Sequence, residues 1–281
     1  MQKNILSIIL GVTVVYYSGC KSSKNAVSMN QPVNWQKNII TVDGNDNEWE
    51  KPLRYRDLEE KLSYSISYDN NNVYICFKTN NNILQFKILH SGLIVYLNKY
   101  GQKRETAGIY FPIGRKPGIK EQGIFSPVGG GKPPLLSSDL SVKKEMLSKQ
   151  NEYLLFGFAK SDGQYGYEKQ NEDDIVVRVG FNELQELVYE ASVPLRAIFH
   201  HMPSLNYSAS RNLAIGFFVR GFPGTGFSGS SFPPILTGGP GSGPPGMGGT
   251  GGREEAQDIQ KLFQDTKVWK VIPLASLQSK K

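Results

Sequence analysis

The chain has 281 residues, 39% hydrophobic and 20% charged, a globular composition that excludes a disordered or collagen-like polypeptide. Lys and Arg outnumber Asp and Glu by 32 to 25, but the excess is scattered, with no run of five basic residues, so the footprint of a nucleic-acid binder is absent. Three histidines and two cysteines leave little material for a zinc site or a disulfide framework.

At the N-terminus Lys3 precedes an apolar run, Ile5 to Val15. At 1.5 Å per residue those residues reach about 16 Å, half of a bilayer's hydrocarbon core, so they read as the apolar region of a secretory signal. Ser18-Gly19-Cys20 follows, small residues before a cysteine. This resembles the lipobox of bacterial lipoproteins, with Tyr17 where that motif usually carries Leu. The resemblance implies cleavage after residue 19, acylation of Cys20, and a lipid anchor in the outer membrane. Residues 20–38 are polar and read as the tether. Lys21 to Lys24 carry no acidic cluster of the kind common in surface-export signals of related lipoproteins, so the resemblance implies the periplasmic face. Cys76, in the apolar run VYICFK, is then left without a disulfide partner and is expected to be a buried thiol.

Short β-like runs follow. The first expected strand is Ile39 to Val42. Leu62 to Tyr68 alternates strictly, and Val73 to Thr79 follows the turn cluster Asp69–Asn72, which predicts a hairpin. Further strands are expected at Leu93–Leu97, Ala107–Ile113, Tyr153–Phe158, Ile175–Val179, Leu187–Val193, Leu213–Arg220 and Lys267–Ile272. Two helices are expected, Asp139–Lys149 capped by Ser138, and Arg253–Gln264 with acidic residues in its first turn. The fold class is therefore all-β: a single β-sandwich over residues 39–277 with one or two short helices. Two long Gly/Pro-rich loops, 114–134 and 221–252, interrupt it; thirteen of the chain's 30 glycines lie in the second, and both are expected outside the sheet ladders.

Gly129-Gly130-Gly131-Lys132 is followed by Pro133, where a phosphate loop needs Ser or Thr, and position 126 is Ser where that loop needs Gly. Asp43-Gly44-Asn45-Asp46 has its glycine at the second position and Arg54 at the twelfth, which fails the calcium-loop pattern. Asp43-Gly44 instead reads as a turn that lets Trp49 pack on the sandwich. Glu190, Asp173 and Asp174 have no spacing that makes a catalytic pair, and no nucleophile motif is present. No catalysis, metal or cofactor is expected.

ITVDGNDNEWEKP and LSYSISYDNNNVYICFKT resemble the opening of carbohydrate-binding family 9-like modules, which belong with the DOMON-like β-sandwiches. Asp69 and Tyr74 occupy the positions of that family's Asp and Tyr. GLIVYLNKYG, with Asn98 for the usual Asp, and YEASVPLRAI, with Glu190, Pro194 and Leu195, match two later segments. The resemblance punctuates most of residues 39–198 and extends to envelope lipoproteins of Bacteroidetes type. It implies a binding module that holds a glycan against loop-borne aromatics. The residues picked for that role are Tyr165 and Tyr167, with Asp162, Gln164 and Glu168 to bond hydroxyls; Tyr68 and Tyr55 stand behind them. A second expectation is an assembly lipoprotein that docks on an envelope protein through its glycine-rich loops. A third, a haem module as in some DOMON-like proteins, would need ligands from His200, His201, Met202 or His90.

Overall fold

The computed structural model describes residues 34–114, 139–199, 211–222 and 260–274, all within one compact unit. Cys20, the tether before Asn34, and His200 to Met202 lie outside the described residues. So do most of both glycine-rich loops and the helix expected over Arg253–Gln264 up to residue 259.

The fold is an all-β sandwich of two antiparallel sheets. The first comprises β1 (Tyr55–Asp57), β2 (Leu62–Tyr68), β3 (Asn72–Thr79), β8 (Val176–Phe181) and β9 (Leu187–Pro194), in the order β1-β2-β3-β9-β8. The second comprises β4 (Gly92–Asn98), β5 (Ala107–Ile113), β6 (Glu152–Phe156), β7 (Gly163–Gly166), β10 (Arg211–Val219) and β11 (Thr266–Leu274), in the order β11-β10-β4-β5-β6-β7. The expected hairpin pairs Ile66 with Ile75 and Tyr68 with Val73. Alternation does the rest. Tyr64, Ile66, Ile75, Phe77 and Tyr189 from one sheet meet Val95, Ile109, Leu155, Ile215 and Phe217 from the other in one continuous core.

Two expectations are corrected. Residues 39–42 form no strand; the first sheet contact is instead a parallel bridge between Trp35 and Tyr68. The cap of α2 (Leu140–Ser148) is Asp139 in place of Ser138, its carboxylate accepting from Ser141 N. Two further helices join it, α3 (Leu195–Phe199) and α1 (Asn82–Ser91). Asn81 caps α1 by accepting from Leu84 N at 2.9 Å, and Gly92, at φ 84°, turns the chain directly into β4. Eight of the helix's residues are buried, Lys87 among them. That ammonium bonds Gln264 O and Thr266 Oγ1, and burial pushes its pKa down to about 8. None of the described helices is long and apolar enough to cross a membrane.

Residues 34–53 lie as a saddle over the outer face of the first sheet. Trp49 and Leu53 bury Cys76 and Val188 there. Cys76 is free and fully buried, and burial, with the Glu190 carboxylate next, pushes its thiol well above the ordinary value. Glu190 pairs with Cys76 across the β3–β9 ladder and is fully buried. Its Oε1 accepts from the Trp49 indole N–H (2.6 Å), and its Oε2 accepts from Gly44 N (2.9 Å) and Asp43 N (3.1 Å). One carboxylate thus closes the Asp43-Gly44 turn and pins Trp49. Asp46 adds a second fastening, receiving Lys78 Nζ at 3.0 Å and Asn182 Nδ2 at 3.2 Å. Burial raises the Asp46 pKa, but these donors outweigh it and hold the carboxyl below its ordinary value.

Candidate functional site

The carboxylates considered for catalysis hold turns. Asp173 accepts from Lys160 N and Ser161 N, Asp174 pairs with Arg196, and Glu190 fastens the saddle. His90 is buried against Phe86 and Phe222, with ring centroids 4.5 and 5.8 Å away. Among the described residues no group of three or more His, Cys, Asp or Glu is placed to hold a metal ion.

The residues picked for sugar contact lie on and beside β7, at the edge of the second sheet. Tyr165 is half-buried; its ring stacks on Tyr153 at 5.7 Å, and its hydroxyl donates to Glu172 at 2.8 Å. Tyr167 stacks on Phe111 at 4.8 Å, with the Arg178 guanidinium 4.5 Å from its centroid. Glu168 bonds that same guanidinium at 3.2 Å. Asp162 is exposed. Tyr167 and Glu168 share one cavity wall, which includes neither Tyr165 nor Asp162. The four do not form one cluster.

A different group of aromatics has the geometry that sugar stacking asks for. On the outer face of the second sheet, register places Trp269, Gly216, Tyr96, Gly108 and Phe156 in a single row across β11, β10, β4, β5 and β6. The two glycines are what let the rings lie down. A Cβ at Gly216 would meet Cδ2, Cε2 and Cε3 of Trp269, each at 2.8 Å, so the indole rests flat on β10. At Gly108 a Cβ would meet Phe156 Cζ at 2.3 Å. Tyr96 is nearly parallel to Trp269, 14° between planes and 6.1 Å between centroids. Phe156 meets the Tyr96 ring edge-on at 6.0 Å. Trp269, Phe156 and the neighbouring Phe218 are half-exposed, while Tyr96 is buried among them.

Polar groups edge the platform. Lys267 Nζ lies 5.6 Å from the Phe218 centroid and bonds Glu105 Oε1 at 2.5 Å. The Tyr96 hydroxyl bonds Glu105 as well; burial first, and that carboxylate second, push the phenol up to about 12. A flat indole, a carboxylate and an ammonium therefore stand together on one face. Beside them a second row, Phe218, Ile94, Tyr110 and Leu154, continues the apolar surface. The sequence alone did not reveal this site because its aromatics come from four separated stretches. The one available cue was the outward parity of Tyr96, Phe156 and Trp269 within strands whose other parity is core.

Comparison with protein-family models, with curated proteins and with solved structures gives no match for this chain.

Proposed function

We propose that the chain is a lipid-anchored envelope module that binds glycan without catalysing a reaction, and that its binding surface is the aromatic face of β4, β6, β10 and β11. The observation that carries this reading is the Trp269 indole lying flat on β10 beside the Glu105–Lys267 pair. A pyranose ring presents an apolar C–H face and a rim of hydroxyls. Stacking on an indole covers the first, and a neighbouring carboxylate and ammonium bond the second. The same requirements led to Tyr165 and Tyr167 from the sequence, and the family 9-like resemblance supports the same class of ligand. The anchor rests on the Ser18-Gly19-Cys20 motif alone.

Glycan-array binding by the full chain, followed by calorimetry on a positive glycan, tests the surface. Trp269→Ala is expected to abolish binding. Gly216→Ala is expected to weaken it about tenfold with every aromatic retained, because its methyl group lifts the indole from the strand, a displacement that tryptophan fluorescence reads directly. Binding that survives both substitutions but is lost in Tyr165→Ala or Tyr167→Ala returns the site to β7. For the anchor, Cys20→Ala is expected to abolish labelling by a palmitate analogue; a variant still labelled and retained on membranes in high salt refutes lipidation at this residue.

The largely apolar row of Ile94, Tyr110 and Leu154 favours a second reading, docking on an envelope protein partner. Under that reading Leu154→Glu abolishes co-purification of a defined partner, while Trp269→Ala leaves glycan arrays as blank as those of the unmodified chain.

A further inference from the structure

The cavity that holds Tyr167 and Glu168 has a chemistry different from the aromatic face. It is lined by β5 of one sheet, by β8 at the edge of the other, and by α2. Its volume is about 620 Å³, against about 290 Å³ for the cleft beneath the saddle. That lies within the range of small-molecule sites, roughly 300–1,000 Å³. The walls are Phe111, Leu147, Tyr167 and Phe181. Tyr167 is held against Phe111, and its hydroxyl accepts from Val179 N at 3.4 Å, so the wall is built by the fold.

Charge at the rim is one-sided. Glu168 is neutralised by Arg178, whose guanidinium also caps the Tyr167 ring. Lys144 from α2 and Lys169 after β7 line the same cavity, are exposed, and have no ion-pair partner among the described residues. An apolar interior below two uncompensated ammonium groups suits a ligand with an apolar body and an anionic head. Ser148, Gln150 and Asn151 also line it, but apolar side chains make up most of the wall, so an apolar chain covers more of it than a neutral sugar would. We propose that this cavity binds a carboxylate-headed amphiphile, its chain between the two sheets and its head at Lys144 and Lys169. This site is independent of the glycan face, and its failure leaves that reading untouched.

A dodecanoic acid probe carrying a diazirine near its chain end tests this on the full chain, with adducts mapped by peptide mass spectrometry. Adducts are expected on the peptides bearing Leu147, Tyr167 or Phe181, and unlabelled dodecanoate should compete for them. Lys144→Glu combined with Lys169→Glu is expected to lower the adduct yield about tenfold by turning attraction into repulsion, with the melting temperature unchanged because both side chains are exposed. Leu147→Trp, which fills the cavity, is expected to remove labelling altogether. Adducts that map elsewhere, a yield indifferent to the charge reversal, or equal labelling by the corresponding dodecanol probe would overturn the proposal.

Discussion

Glu190→Gln is expected to lower the thermal midpoint by roughly 10 °C, the equivalent of about 3 kcal/mol in a domain of this size. The reason is acceptor capacity. Both carboxyl oxygens receive donors, Oε1 from Trp49 and Oε2 from Gly44 and Asp43, and all three bonds are closed off from solvent or nearly so. An amide offers one accepting oxygen and an NH₂ group that cannot accept. Whichever way the glutamine side chain turns, at least one buried N–H of the saddle is left facing another donor. A protonated carboxylic acid differs, because both of its oxygens retain lone pairs.

That difference fixes the pH dependence. Burial pushes the Glu190 carboxyl from 4.5 up to about 7, although the Trp49, Gly44 and Asp43 donors pull the other way and Asp43's charge adds to the rise. The folded value lies above the unfolded one, so the folded state binds the extra proton. The associated stability is fully present below 4.5 and is lost as pH rises through about 7. Calorimetric scans of the unmodified chain should therefore show the midpoint falling between pH 5 and 7.5, by the equivalent of about 2 kcal/mol. Glu190→Gln should lack that slope. A variant that melts with the unmodified chain and keeps the slope would show that the saddle is held by Asp46 and apolar contact alone.

The sandwich was legible because β-strands advertise themselves through parity. LSYSISY and NVYICFK alternate between a core face and an outer face that is half-buried except at Ser65 and Cys76, and AGIYFPI forms a strand over the residues expected. The segment Asn82–Ser91 shows where pattern fails. It is buried on every face, between the main core at Leu84, Ile88 and Leu89 and a second cluster at Ile83 and Phe86, so it has no polar side and no helical period to detect. Its ends were marked, by Asn81 before it and Gly92 after it, and those marks were the only signal present. The site was less legible than the fold. Exposed-looking tyrosines in KSDGQYGYEKQ drew attention because turn residues surround them, yet the packing of Tyr167 against Phe111 comes from a strand more than fifty residues away in sequence. Whether an aromatic lies flat depends on what stands across the ladder. For Trp269 that is Gly216, a relation that exists only once the register is known.

Phe222→Ala is expected to destabilise the fold by about 3–4 kcal/mol, whereas replacing Pro223–Gly251 with a short Gly-Ser linker should change stability by only about 1 kcal/mol. The contrast turns on where the chain is fastened. Phe222 is 6% exposed, stacks on Phe86 at 5.6 Å and packs with Ile83 and Leu262 in the second cluster. Its backbone N–H donates to Leu262 O at 2.8 Å, and Gly221 N donates to Asp265 Oδ1 at 2.8 Å. The chain therefore leaves β10 and returns toward β11 through the same point, and a short linker spans the gap without strain. Closure entropy varies only with the logarithm of loop length, so removing most of the intervening residues shifts the balance slightly and in the stabilising direction. Residues 222–252 contain twelve glycines and six prolines, a composition costly to order and poor in donors for a sheet ladder. Truncating Phe222, by contrast, opens a cavity beneath α1 and loosens the return of Leu262. Calorimetry on the two variants separates these contributions. A linker variant that melts as early as Phe222→Ala would mean that Phe227, Phe232, Ile235 and Leu236 carry part of the core.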